Sequence, residues 1–233
     1  MEDFNSPFYP YKKVYPGYIG GRGIEDVPNY LVRYLMDLPD ANGYVPMDDN
    51  NRPRVRLMKY LYYDGAHPLD EELPSPQEKM SLLYDGNNPV VNTDDEKEQH
   101  PKGFRIFPQS FWMPADFRAG TLIKIYIGRV LPYSPYFWDV GICFEIVVNY
   151  NLTFFIINNL KTSAMSRLWA MEQALVESLH GVNITGIGAF DFNRAIHMDS
   201  GSHPFHDEGT NIGRQIAFSF RWAESNTGKN IIE

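Results

Sequence analysis

Apolar residues in the second half of the chain recur with two distinct periods. From Thr121 to Val130, Ile123, Ile125 and Ile127 fall on one side of an extended chain, with Lys124 and Tyr126 on the other. The spacing predicts a half-buried strand. A turn rich in Pro and aromatics (Pro132, Tyr133, Ser134, Pro135, Tyr136, Phe137, Trp138) separates it from a second alternating stretch. There Val140, Ile142, Phe144, Ile146 and Val148 share a face opposite Gly141, Cys143, Glu145 and Asn149, so the two strands can pair as a hairpin. Thr153 to Ile157 is short and rich in β-formers, and predicts a strand that extends this sheet or joins a neighbour's.

From Thr162 the period becomes helical, with Met165, Leu168, Trp169, Leu175, Val176 and Leu179 spaced to form one stripe. Thr162 or Ser163 can cap the start, and Gly181 stands where a left-handed C-cap belongs, which predicts a helix from about Ser163 to His180. Arg167, Glu172, Gln173 and Glu177 are expected mostly towards water or a partner. Ile184 to Phe192 reads as a strand weakened by Gly186 and Gly188. A clearer final strand places Ile216, Phe218, Phe220 and Trp222 opposite Gln215, Ala217, Ser219 and Arg221. The polar stretch 193–211 between these two strands predicts a long hairpin loop.

These elements predict an α+β protein: a mainly antiparallel β-sheet packed against one long α-helix, with an extended irregular N-terminal region. Their order resembles that of phage tail-terminator and neck proteins, also described as tail-completion or head-tail joining proteins. The likeness rests on 139–148 (Asp-Val-Gly-Ile-Cys-Phe-Glu-Ile-Val-Val), 167–175 (Arg-Leu-Trp-Ala-Met-Glu-Gln-Ala-Leu) and 179–188 (Leu-His-Gly-Val-Asn-Ile-Thr-Gly-Ile-Gly), and covers roughly residues 104 to 222. The resemblance implies a non-enzymatic virion protein, assembled in the host cytoplasm into a ring, a hexamer in the family. Such a ring stops tail-tube growth, meets the head connector and lets DNA pass through its lumen. A simple terminator subunit is smaller than this chain, which leaves the first hundred residues outside the likeness. Residues 104–233 are thus expected to be the ring-forming core and 1–103 an irregular region carrying a short helix and hairpins. Subunits of such a ring would pair sheet edges or pack helices.

Within 1–103, residues 1 to 30 combine Pro7, Pro10, Pro16 and Pro28 with Phe4, Phe8, Tyr9, Tyr11, Tyr15 and Tyr18. A segment of this kind lies extended across a surface, either as a docking arm on a neighbour or as an extension packed on its own chain. Asn29 to Leu38 has helical spacing and ends at Pro39. Leu61, Tyr63, Asp64, Gly65 and Pro68 recur 21 positions later as Leu82, Tyr84, Asp85, Gly86 and Pro89, and each copy reads as a strand entering a tight turn.

Composition narrows the function. The 233 residues carry a formal charge of −8, which lacks the cationic footprint of a dedicated nucleic-acid binder but suits a lumen past which DNA slides. Aromatic residues make up 15% of the chain, which favours interfaces or a β-rich core. A single cysteine excludes an intrachain disulfide and suits a reducing compartment. No apolar run is long enough for a membrane span, so no membrane partner is expected.

Chemistry-bearing clusters are few. The acidic run 92–100 lacks the spacing of a calcium loop and reads as solvated. His197, Asp199, His203, His206, Asp207 and Glu208 match no metal signature and read as a polar hairpin tip, with a metal-dependent enzyme as the alternative. Cys143 lies mid-strand and reads as structural, and Gly20-Gly21-Arg22-Gly23 lacks the Lys-Ser or Lys-Thr of a phosphate loop. No cofactor or metal is therefore expected, and no catalytic residue. The candidate contact residues are Tyr133, Tyr136, Phe137 and Trp138 of the turn, Arg167, Glu172 and Glu177 of the helix, and His197, His203 and His206 of the loop. Their expected partners are neighbouring subunits, the tail-tube protein and the head connector; a baseplate or capsid adaptor is the competing binding role.

Overall fold

The computed structural model describes residues 24–39, 44–84, 104–108, 120–133, 137–149, 152, 154–157, 160–184, 187–192, 201–206 and 211–223. A five-stranded sheet runs through it in the order β1 (Ile106–Phe107), β2 (Thr121–Pro132), β3 (Phe137–Asn149), β9 (Asn211–Ala223) and β8 (Gly201–His206). Among the described residues of this sheet, only the short β1–β2 pair is parallel. The architecture is α+β with a mainly antiparallel sheet.

The period-two residues do what alternation requires. Ile123 pairs with Ile146, Ile125 with Phe144, and Ile142 with Phe218, which puts one apolar row from each long strand on the same face. Those side chains are buried, and Phe144 and Phe218 meet edge to face with ring centroids 5.6 Å apart. A helix α4 (Ala164–Leu179) covers this face through Leu168, Met171, Ala174, Leu175 and Leu179. It starts directly after Ser163, and Gly181 follows it at φ +72°, the left-handed conformation that glycine adopts without Cβ strain.

The sheet is not covered by one helix alone. Three more, α1 (Val27–Leu35), α2 (Pro53–Tyr62) and α3 (Pro76–Ser81), lie in the N-terminal part, and Leu31, Leu35, Leu57, Met58 and Leu61 enter the same core cluster as the sheet. α1 stands where a helix from Asn29 to Leu38 is expected, but it begins at Val27 with Pro28 in its first turn and ends at Leu35, short of Pro39. α2 corrects the expected strand: Leu61 lies in the last turn of a helix that begins with Pro53 and ends at Tyr62. Val55 and the run from Leu57 to Leu61 are buried, so nearly every side of α2 is covered and no amphipathic period betrays it. The second copy of the repeat differs: Leu83 is extended and bridges Ile106, while Asp85, Gly86 and Pro89 fall outside the described residues.

Three further corrections concern strands. The run ending at Ile157 forms β4 (Phe154–Ile157), which pairs with β5 (Leu160–Ser163) in a separate two-stranded sheet. The glycine-weakened strand splits into β6 (Asn183–Ile184) and β7 (Gly188–Ala189), after which Asp191 bridges Ser219 of β9. The expected loop 193–211 contains β8, paired with β9 from Gly201↔Ala217 to His206↔Ile212. An edge strand needs no unbroken apolar alternation, so Ser202, His203 and Pro204 give no strand signal.

Candidate functional site

Arg167 is fully buried rather than turned to solvent, which corrects its expected placement. Its side chain reaches the end of α2, where helix carbonyls lack intrahelical donors and the helix dipole is negative. Nη1 donates to Tyr63 O at 2.8 Å and Nη2 to Gly65 O at 2.7 Å, with longer contacts to the carbonyls of Tyr60 and Asp64. Arg105 grips the same loop from the other side, bidentate on the Asp64 carboxylate at 2.6 and 2.7 Å and donating to Leu61 O at 2.8 Å. Burial pushes the Arg167 guanidinium below the usual arginine range, and the Asp64 charge opposes that shift. Gly120 completes the closure, because a Cβ there would collide with the Asp64 carboxylate and lie 2.8 Å from Leu152 Cδ1.

A second polar hub joins the N-terminal helices. Asp37, at φ 50° and buried, accepts from Tyr44 Oη at 2.8 Å and pairs with Arg54 at 2.8 Å and Arg52 at 3.5 Å, while Lys79 Nζ donates to its carbonyl at 3.2 Å. Lys59 is buried against Asp48 at 2.6 Å. Burial holds the Lys79 ammonium below the usual lysine range, with Asp37 opposing. The folded protein therefore binds that proton less tightly than the unfolded chain, so this lysine makes stability rise with pH up to its unfolded value of 10.5. Lys79→Met removes the desolvation cost of the ammonium but leaves the Asp37 carbonyl without its donor, so it is expected to lose about 1–3 kcal/mol at neutral pH. It should also flatten that rise, read as the difference between the two proteins' urea midpoints across alkaline pH.

On the opposite sheet face, a ladder crosses three strands. Lys124 Nζ donates to Glu145 at 3.0 Å, Tyr126 Oη donates to Glu145 at 2.6 Å, and Gln215 Nε2 donates to Tyr126 Oη at 2.8 Å. Burial and then the Glu145 acceptor raise the Tyr126 pKa far above the usual tyrosine value, so the phenol stays a donor across the working range. The register shifts between Ile127 and Arg129, and a Cβ on the intervening Gly128 would come within 2.5 Å of Cys143 Sγ. Gly128→Ala is expected to destabilise by about 1–3 kcal/mol, measured by urea denaturation, with Cys143→Ala restoring most of the loss.

The remaining candidates separate. Tyr133 and Phe137 are exposed at the β2–β3 end, beside exposed Leu131, but Trp138 is 5% exposed and belongs to the core, because it pairs with Trp222 on the inward face. Glu172 is also buried, in an ion pair with Arg214, which corrects its expected solvent placement. Glu177 is exposed and pairs with Arg56 of α2. His203 is exposed on β8; His206 lies on the same strand; Tyr136 and His197 fall outside the described residues. Among the described residues no group of three His, Cys, Asp or Glu side chains is placed to hold a metal ion, and no helix is long and apolar enough to cross a membrane.

Sequence reasoning names Tyr133 but misses the exposure of Trp169 and the arginine that holds each of these rings. Trp169, expected in the buried stripe, is 56% exposed and lies over Arg214, whose guanidinium carbon is 5.2 Å from the ring centroid. Arg214 Nε also donates to Ser202 Oγ at 2.8 Å. Tyr133, 61% exposed, lies over Arg221 at 4.1 Å, and Arg221 faces Asp139 at 3.4 Å. Each ring is held by an arginine that an acid positions.

A model of the YomW family matches residues 55–220, from within α2 to near the end of β9. The chain belongs to the YomW family. That family is phage-derived, and the match contains the Arg167 clamp, the Asp64 loop and both exposed aromatic rings. No curated protein and no solved structure matches the chain.

Proposed function

We propose that this YomW-family protein is a non-enzymatic structural component of the phage virion neck, acting as a tail terminator or head-tail joining ring. The observation that carries the reading is the exposed end of the β2–β3 hairpin, where Leu131, Tyr133 and Phe137 stand in water beside Arg221. Aromatic residues and arginine are the side chains that dominate protein interfaces. The α+β sheet, its covering helix and the phage-derived family support the same role. In this reading subunits assemble in the host cytoplasm into a ring, a hexamer by resemblance. One face caps the last ring of tail-tube subunits and the other meets the head connector. The net charge of −8 lets DNA pass the lumen without being held.

Silencing this gene during infection and imaging the lysate tests the role. Full heads beside unattached tails are expected for a joining ring, and over-long tails for a terminator. Complete, infectious particles with tails of normal length would overturn the reading and favour an adaptor elsewhere on the particle.

A further inference from the structure

Residues 45–50 join the Asp37 hub to the first turn of α2 without forming helix or strand, and none of them is buried. Val45 and Met47 are 68% and 70% exposed, so the segment turns its largest apolar side chains to water and not to the core. The backbone hydrogen bonds described for it stay local, from Asp49 N–H to Met47 O and from Arg52 N–H to Asp49 O. Side chains make its ties to the rest of the described protein. Asp48 accepts from Leu73 N–H at 2.9 Å and faces Lys59 Nζ at 2.6 Å, and Asn50 Nδ2 donates to Leu69 O at 2.9 Å. Both ends are anchored, because Tyr44 donates to Asp37 at 2.8 Å and Pro53 begins α2. A segment with few buried apolar contacts opens at far lower cost than the whole domain.

Lys59 sets what holds the segment shut. Its side chain is 2% exposed, and besides Asp48 its ammonium has only a long contact to Leu69 O at 3.4 Å. Without the Asp48 charge, the closed segment would keep that ammonium from water and offer it no carboxylate in return. A buried charge left without its partner is among the costliest arrangements in a folded protein, so the balance then turns towards opening. Lys79 is buried as well, but it donates to the carbonyl of Asp37, which lies before the segment begins. Opening between the two anchors therefore frees Lys59 and leaves Lys79 covered.

We propose that residues 45–50 form a strap that opens as a unit between fixed ends, and that the Asp48–Lys59 ion pair is its latch: opening uncovers Lys59 while the sheet core stays folded. Acetylation of the full chain at neutral pH with an amine-reactive ester, read lysine by lysine by mass spectrometry, tests it. Asp48→Asn keeps the shape of the side chain and removes its charge. Lys59 should then react about tenfold faster than in the wild type, the factor set by one lost charge-assisted hydrogen bond, while Lys79 changes little. Amide exchange in 69–75, which contains the Leu73 N–H that Asp48 accepts, should rise with it. Adding Lys59→Met to Asp48→Asn should return that exchange to the wild-type level, since no buried ammonium then opposes closure. A Lys59 that reacts no faster in Asp48→Asn would overturn the latch. Acceleration of Lys79 in step with Lys59 would also overturn it, because the N-terminal helices would then be loosening together. Exchange that stays fast in the double variant would show that Lys59 does not drive the opening, and would overturn it too.

Discussion

Arg167→Ala is expected to cost about 3–5 kcal/mol of stability, the combined scale of the cavity left by a long, fully buried side chain and of carbonyls that lose their donors. The substitution removes the donors to the carbonyls of Tyr63 and Gly65 at the partly exposed end of α2. It also leaves the cavity of a long side chain between α2 and α4. For a chain of this length the corresponding fall in thermal midpoint is roughly 6–20 °C. Arg167→Lys should recover only part of the loss, because a single ammonium cannot span the two carbonyls that the guanidinium fork reaches. Urea or thermal unfolding of the three proteins checks this, and a loss below about 1 kcal/mol would show that the clamp contributes little.

Phe218→Ala is expected to be comparably severe, at about 3–5 kcal/mol, for a different reason. Phe218 is fully buried on β9 opposite Ile142, touches the Phe144 ring edge to face at 5.6 Å and stacks obliquely on Phe192 at 5.1 Å. Its loss opens a cavity where β3, β9 and the segment after β7 meet, and close-packed neighbours refill such a space only in part. A double-mutant cycle with Phe144→Leu should give a coupling of about 0.5–1.5 kcal/mol, which separates the ring contact from general burial. Additive effects would mean that the two rings act only through the apolar area they bury.

The strands written in strict alternation are legible from the amino-acid order alone. β2 and β3 each carry an alternating apolar row, as does β9 from Ile216 to Trp222, and α4 has both its stripe and its C-terminal glycine. The α+β class follows from them. Legibility fails where burial is not periodic. α2 is covered on nearly every side, including Lys59, so its residues resemble a strand entering a turn. β8 lies at an edge and is built from Ser202, His203 and Pro204, which carry no core signal.

Helix phase explains the differences on α4. Trp169 adjoins Leu168, and a bulky aromatic beside a core leucine reads as core, yet the buried row runs through Leu168, Met171, Leu175 and Leu179 and leaves Trp169 at its margin. Arg167 and Glu172 flank that row, and each is buried because a distant segment supplies its partner: the end of α2 for one, Arg214 for the other. Charge on a helix reads as solvent-facing when the partner is far away in sequence, here 104 residues for Arg167 and Tyr63. The aromatic turn divides for a related reason, since successive strand residues face opposite ways: Phe137 points out and Trp138 points in.

The claim that this YomW-family chain is a neck component is tested most directly by antibody labelling of purified virions under the electron microscope. Gold particles are expected at the junction of head and tail, and nowhere else, on every intact virion. Label on the capsid or baseplate alone, or no protein of this chain in purified virions, would contradict it.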